Sequence, residues 1–195
     1  MYTSGTTGRP KGVIIVQSNV IANINQTENW VERIDNIKNL LVAPVYHAAA
    51  AINLLNTVSR GGSIVVNEDF NPVEVDKTLS EQNITNTVMV PDMIQACIYM
   101  VPDIDKMNFS NLDHISYGGS PISPEVLTKA MDVFKCDFGQ GFGMTENVAV
   151  LCFLTFEDHK EALADKPHLL KSCGRPVEGC TIEIRDSNEN EVPRG

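Results

Sequence analysis

Residues 2–12 read Tyr2-Thr3-Ser4-Gly5-Thr6-Thr7-Gly8-Arg9-Pro10-Lys11-Gly12, a stretch that sets four hydroxyls among three glycines and one lysine. Such a mixture neither fills a core nor extends a helix. Glycines let backbone N–H groups turn into a concavity and approach an anion closely. Hydroxyls donate to phosphate oxygens, and a lysine ammonium brings positive charge on a long stem. The residue types are those of a polyphosphate cradle. It is not the G-x-x-x-x-G-K-[ST] pattern, because Lys11 follows Pro10 rather than a glycine and is followed by Gly12 rather than a hydroxyl. The rival reading is a solvated Gly/Ser/Thr linker. Against it stand Tyr2 in front and the run Val13-Ile14-Ile15-Val16 behind, which reads as a buried strand.

Outward from this stretch the chain keeps a rhythm. After the expected strand Val13 to Val16, Ser18 or Asn19 caps a helix over Val20 to Asp35, with Val20, Ile21, Ile24, Trp30, Val31 and Ile34 at helical spacing. Leu40 to Ala43 reads as a strand, Pro44 ends it, and a small-residue run from Ala48 opens a helix through Leu55 to Val58. Gly61-Gly62 stops that helix before a strand Ser63 to Val66. Then follow helix Pro72 to Gln82, strand Thr87 to Val90, helix Pro91 to Met100, strand His114 to Tyr117, helix Pro124 to Val133 and strand Asp137 to Gly141. Alternation of this kind predicts an α/β fold, a mostly parallel sheet flanked by helices. In such a sheet ligands sit at the carboxyl ends of the strands, and every unusual polar cluster here falls just after an expected strand.

Composition excludes several classes. With 43% hydrophobic and 21% charged residues, 195 residues suffice for a folded core. A net charge of -10, with 15 basic residues scattered along the chain, argues against a nucleic-acid surface. Cys97, Cys136, Cys152, Cys173 and Cys180 are odd in number and contain no C-x-x-C, so free thiols in a reducing compartment are expected. The start of the chain does not read as a signal peptide, and no apolar stretch approaches the ~18 residues of a transmembrane helix. A cytoplasmic location is the expectation; no motif speaks to oligomeric state.

The segment Tyr2 to Gly12 resembles the signature loop of the adenylate-forming superfamily, which includes acyl-CoA synthetases, aryl-acid ligases, luciferases and nonribosomal peptide adenylation domains. Three further segments are similar to that family's motifs, in its order. Gln140-Gly141-Phe142-Gly143-Met144-Thr145-Glu146 resembles the aromatic-G-x-T-E motif, with phenylalanine where tyrosine is usual. The resemblance implies that Phe142 packs on adenine, Thr145 bonds a phosphate and Glu146 holds Mg²⁺; by its residues alone the segment is a turn whose Thr and Glu cap a helix. Gly118-Gly119-Ser120-Pro121 looks like the segment that lets adenine lie against bare backbone, and otherwise like a strand-to-helix turn. Pro44-Val45-Tyr46-His47 looks like the segment that sets a histidine beside the carboxylate and acyl pocket, although a lone histidine is commonly structural. Ala48 to Ala51 would leave room for a chain-like acid. Val90-Pro91-Asp92-Met93 corresponds to a pocket-lining helix, and Ser172-Cys173-Gly174-Arg175-Pro176-Val177 to a structural S-x-G-x-P turn.

The resemblance implies the following site. Thr3, Ser4, Gly5, Thr6, Thr7, Gly8 and Lys11 hold the phosphates; Gly118, Gly119, Ser120, Gln140, Gly141, Phe142, Gly143, Met144 and Thr145 complete the nucleotide site. His47, Lys11, Thr145 and Glu146 serve the reaction, Lys11 otherwise being a surface cation. The implied activity is two-step ligation of a carboxylic acid with ATP, Mg²⁺ and coenzyme A. A fatty acid is the first expectation and an aryl acid the second. Two departures limit it. The family's ribose-binding aspartate and its small C-terminal domain with a catalytic lysine find no counterpart, so residues 1–195 read as a central part of the large domain, inactive alone. The rival from another class is a nucleotide-binding module without the reaction.

Overall fold

The computed structural model describes residues 1–3, 8–27 and 36–192. Two short strands, β1 (Tyr2–Thr3) and β2 (Lys11–Gly12), pair antiparallel at the amino terminus, Tyr2 opposite Gly12 and Thr3 opposite Lys11. A second sheet has seven strands among the described residues, in the order β4-β3-β5-β6-β7-β8-β9. Five are parallel: β4 (Ser63–Val66), β3 (Lys38–Leu41), β5 (Asn86–Met89), β6 (His114–Gly118) and β7 (Asp137–Phe142). At one edge β8 (Cys152–Leu154) and β9 (Arg175–Pro176) run antiparallel. The helices are α1 (Gln17–Thr27), α2 (Ala48–Ser59), α3 (Pro72–Glu81), α4 (Pro91–Met100), α5 (Pro124–Phe134) and α6 (Phe156–Ala164).

Local chemistry sets these boundaries. Proline stands in the first turn of α3, α4 and α5, where its missing N–H costs nothing. Asn71 accepts from the N–H groups of Val73 and Glu74, and Ser123 from that of Val126. Thr155 and Asp158 form a reciprocal capping box on α6. The α2 helix ends where a Cβ on Gly62 would stand 2.9 Å from both Ile37 and Thr57.

Two expectations need correction, and part of one falls outside the described residues. Val13 to Val16 is not a strand: β2 stops at Gly12, Ile14 is 90% exposed, and the Val16 N–H is taken by the Asn19 side chain at 3.1 Å. Beyond the bonds between Val13 and Met1, no strand among the described residues offers this run a partner, so apolar character alone does not make it a buried strand. The helix expected over Val20 to Asp35 begins earlier, at Gln17, and its second half, with Trp30, Val31 and Ile34, lies outside the described residues. The return through β8, α6 and β9 was not anticipated.

Chain order and strand order together locate a crevice. From β3 the chain moves one way to β4, then back past β3 to β5, β6 and β7. Right-handed crossovers then put α2 on one face and α3, α4 and α5 on the other, and the crevice opens at the carboxyl ends of β3 and β5, where the direction reverses. The core fills the α3–α5 side, with Leu40, Met89, Ile115, Tyr117 and Phe138 from the strands meeting Val75, Leu79, Ile94, Leu127 and Phe134 from the helices. The alternate strand residues face α2 instead. Among the cysteines, Cys97, Cys136 and Cys152 are buried and Cys173 and Cys180 half-buried, all as free thiols. Among the described residues no helix is long and apolar enough to cross a membrane.

Candidate active site

A cavity of about 810 Å³ occupies that crevice. Its mouth is built by the segments leaving the parallel strands. From β3 come Pro44, Tyr46 and His47; from β5, Val90 and Asp92; from β6, Gly118, Gly119 and Ser120; from β7, Gly141, Gly143, Met144 and Thr145. The mouth therefore collects eight residues expected in the site from three motifs distant in sequence, namely His47, Gly118, Gly119, Ser120, Gly141, Gly143, Met144 and Thr145.

Each has a local reason for its place. His47 caps α2, its Nδ1 accepting the Ala49 N–H at 3.3 Å, so it holds the small-residue helix while lining the cavity. Gly118 pairs with Gly141, and a Cβ on Gly118 would lie 2.4 Å from the Gly141 carbonyl oxygen. Glycine is thus required there by the neighbouring strand, before any ligand is considered. Gly119 has φ +83°, a backbone that side chains adopt at a cost. Gly143 is tighter still, with the position of a Cβ 1.5 Å from the Ala149 carbonyl oxygen. After it comes a 3₁₀ turn over Thr145–Asn147, closed by the Val148 N–H on the Thr145 carbonyl at 3.0 Å. Val148 takes φ 74°, ψ −57°, a strained conformation for a β-branched residue that no sequence signal announced.

The remaining expected residues lie off the cavity wall. Glu146 is exposed on the 3₁₀ turn next to Thr145 and has no ion-pair partner among the described residues. Phe142, 43% exposed, ends β7. Gln140 faces the other side of β7, half-buried, with its side-chain oxygen 3.3 Å from the Tyr117 hydroxyl. Thr3 and Lys11 stand opposite each other where the antiparallel pair closes, so the two ends of the hydroxyl loop are tied, and Gly8 has φ +85° between them. Ser4, Gly5, Thr6 and Thr7 lie outside the described residues. Among the described residues no group of three or more metal-ligating side chains assembles.

Behind the mouth, Tyr117 is fixed by a buried histidine absent from the sequence reading. His159 is fully buried on α6; its Nδ1–H donates to the Thr155 carbonyl at 2.7 Å, leaving Nε2 to accept the Tyr117 hydroxyl at 2.8 Å. Burial lowers the His159 pKa, against the Thr155 carbonyl and the Asp158 carboxylate, which raise it. Asp158 is in turn held by the Arg175 guanidinium at 2.7 Å. Burial raises the Asp158 pKa, but the Arg175 and Thr155 bonds outweigh it and keep the carboxyl below its ordinary value. A lone histidine in a helix carries no sequence signal for this role. The S-x-G-x-P turn keeps its structural place: a Cβ on Gly174, at φ +87°, would meet the Phe153 backbone at 2.0 Å.

The family description that fits this chain, AMP-binding enzyme, matches residues 1–195. The chain belongs to that family. A medium/long-chain fatty-acid–CoA ligase of Mycobacterium tuberculosis, FadD8, is 36% identical over 195 residues, covering 100% of this chain and 33% of its own length. The crystal structure of the N-terminal domain of FACL13 from Mycobacterium tuberculosis superimposes with a TM-score of 0.86 at 23% identity, covering 98% of this chain and 46% of that one. The o-succinylbenzoate coenzyme A synthetase MenE of Bacillus subtilis, solved with ATP and magnesium ion, gives 0.81 at 22% identity, covering 99% and 38%. The AMP-binding chain thus spans about a third of the length of the fatty-acid ligase it matches.

Proposed function

We propose that this chain forms part of the large domain of an ATP-dependent acid–thiol ligase of the fatty-acid–CoA type. A carboxylate oxygen attacks the α-phosphorus of ATP, the bond to the β-phosphate breaks, and pyrophosphate leaves an acyl adenylate. The coenzyme A thiol then gives up its proton and attacks the acyl carbon, and AMP departs from the thioester. The observation that carries this reading is the convergence of His47, Gly118–Ser120 and Gly143–Thr145 on one cavity mouth at the strand carboxyl ends. Family membership and the likeness to FadD8 support the reaction class and an acyl substrate.

In this reading the chain binds and orients. Bare backbone at Gly118 and Gly119 receives the adenine, with Phe142 at its side, and the Thr145 hydroxyl donates to a phosphate oxygen. Thr3, Ser4, Thr6, Thr7 and Lys11 close over the outer phosphates, and His47 stands beside the reacting carboxylate. The work is positioning and charge compensation, the main lever in phosphoryl chemistry. Magnesium sites of this kind use one or two carboxylates and fill the remaining positions with phosphate oxygens and water. Glu146, exposed and without an ion-pair partner among the described residues, fits as the protein's carboxylate. When bound, the ion neutralises phosphate charge. The free cysteines fit a reducing compartment, and we assign the cytoplasm.

The test is thermal unfolding with and without ATP and Mg²⁺. At ligand near 100 times Kd, stabilisation is about 2.7 kcal/mol, or about 5–11 °C for a chain of this size. Thr145→Val and Glu146→Gln shrink that shift. No shift with ATP and Mg²⁺ overturns the reading. Residues 1–195 alone release no pyrophosphate from ATP with a fatty acid or a cinnamate; turnover would refute the claim that they are part of a larger catalytic unit.

A further inference from the structure

Three thiols, none of which the ligase reading uses, gather at the antiparallel edge of the large sheet. Cys152 opens β8, Cys173 lies in the S-x-G-x-P turn that leads into β9, and Cys180 follows that strand. Cys97 and Cys136, by contrast, are packed in the core. Within the group of three, Cys152 is 3% exposed, whereas Cys173 and Cys180 are half-buried.

Backbone pairing brings the turn down onto β8. Cys152 is the register partner of Pro176, and the Val177 N–H donates to the Leu151 carbonyl at 2.9 Å. Gly174, at φ +87°, lies so close that a Cβ there would stand 2.0 Å from the Phe153 carbonyl oxygen. The Cys173 thiol is thereby left beside the Cys152 thiol, near enough for the two to interact directly. Cys180 is held otherwise: its sulfur accepts the Gln26 side-chain amide of α1 at 3.4 Å, and it reaches Cys152 by charge alone. Burial first, then Cys173 and Cys180, push the Cys152 pKa up to about 11, so at neutral pH this sulfur is protonated and inert towards reagents in solution. It can react only with a sulfur already at its side. Cys173, half-exposed, is the thiol that a solution reagent can reach.

We propose that Cys152 and Cys173 are a modification site, a dithiol that a small-molecule disulfide converts reversibly to an intramolecular bridge. Cys173 loses its proton and attacks one sulfur of the reagent; that S–S bond breaks, and one small thiol leaves with a proton. Cys152 then loses its proton and attacks the Cys173 sulfur, and the second small thiol departs. Two protein thiols are oxidised by two electrons and one small disulfide is reduced to two thiols. The bridge would tie β8 to the turn behind the cavity mouth, where the Ala149 carbonyl abuts Gly143. In a reducing compartment such a bridge is transient and reports redox state. The inference does not depend on the ligase reading.

The test is incubation of the native chain with oxidised glutathione, an acid quench, then alkylation in denaturant and peptide mass spectrometry. Labelling of Cys152 and Cys173 is expected to be lost together, with their peptides cross-linked, and dithiothreitol restores both labels. Cys152→Ser stops at a single glutathione on Cys173. If that variant does not fold, Cys173→Ser, at the half-exposed position, leaves Cys152 labelled after the same treatment. Both labels surviving oxidation, a bridge from Cys173 to Cys180 instead, or glutathione adducts without a bridge in the wild type overturns the proposal.

Discussion

Asp76 is the most exacting test of the fold. It sits on α3 with no exposed surface, and both carboxyl oxygens are buried without a hydrogen-bond partner. The nearest compensation is the Cys97 thiol on α4, a weak donor. Burial raises the Asp76 pKa from 3.8 to about 7, with the Cys97 thiol pulling slightly the other way. At about 1.4 kcal/mol per pH unit, ionising Asp76 inside the folded chain costs on the order of 4 kcal/mol more than in the unfolded one. The folded value lies above the unfolded value, so Asp76 leaves stability intact below pH 3.8 and takes it away as pH rises through about 7. Asp76→Asn keeps the shape and removes the titration. Urea unfolding of both proteins at pH 5 and pH 8 isolates the effect, because the two chains differ at this one carboxyl group. The variant should gain on the wild type by roughly 2–3 kcal/mol between the two conditions. A difference between the proteins that does not change with pH would refute the claim that Asp76 is forced to charge in a buried site whose nearest donor is a thiol.

Other changes probe the site's framework. Tyr117→Phe leaves the buried His159 Nε2 without its donor at 2.8 Å and should cost about 1–3 kcal/mol, read as a lower Tm. Gly143→Ala drives a Cβ to within 1.5 Å of the Ala149 carbonyl oxygen and should destabilise by at least about 3 kcal/mol in denaturant titration. Gly141→Ala is its control, since the nearest atoms there, on Val150, stand at 3.8 Å, an ordinary contact. Val148→Gly relieves a β-branched residue at φ 74° and should stabilise by about 1 kcal/mol, the ~1–3 kcal/mol of strain less the entropy of a glycine; a loss of stability would show that the conformation carries no strain.

Much of the sheet was legible because its boundaries are chemical. Ser63–Val66 and Pro91–Met100 stand where they were expected, since Gly61-Gly62 and Pro91 are punctuation that tertiary structure seldom overrides. The misses share a cause, which is that the deciding partner is remote. Val13 to Val16 has the composition of a strand but no edge to pair with, whereas the three residues of β8 are a strand only because β7 and β9 bond them. Gly118 was read as room for a flat base; the tighter constraint is the Gly141 carbonyl, 23 positions on in sequence and its register partner in space. That Arg60, Asn86 and His114 also line the cavity escaped notice because they belong to three separate elements and form no motif.

Core and site are two faces of the same strands, which makes their register decisive. His114, Ser116 and Gly118 line the cavity, while Ile115 and Tyr117 belong to the core. A slip of one residue between β6 and β7 would send Tyr117 towards the ligand space and His114 into the apolar cluster. Hydrophobic pattern opposes that slip, but β6 is short and carries two small polar or bare positions, so the pattern alone discriminates weakly. The Tyr117 hydroxyl, placed between His159 on α6 and Gln140 on β7, supplies a directional lock that only one register satisfies. That lock sets Gly118 against Gly141 and so delivers Gly119, Ser120, Gly143 and Thr145 to the same mouth. The buried histidine, outside the cavity, thus fixes the register that assembles its mouth.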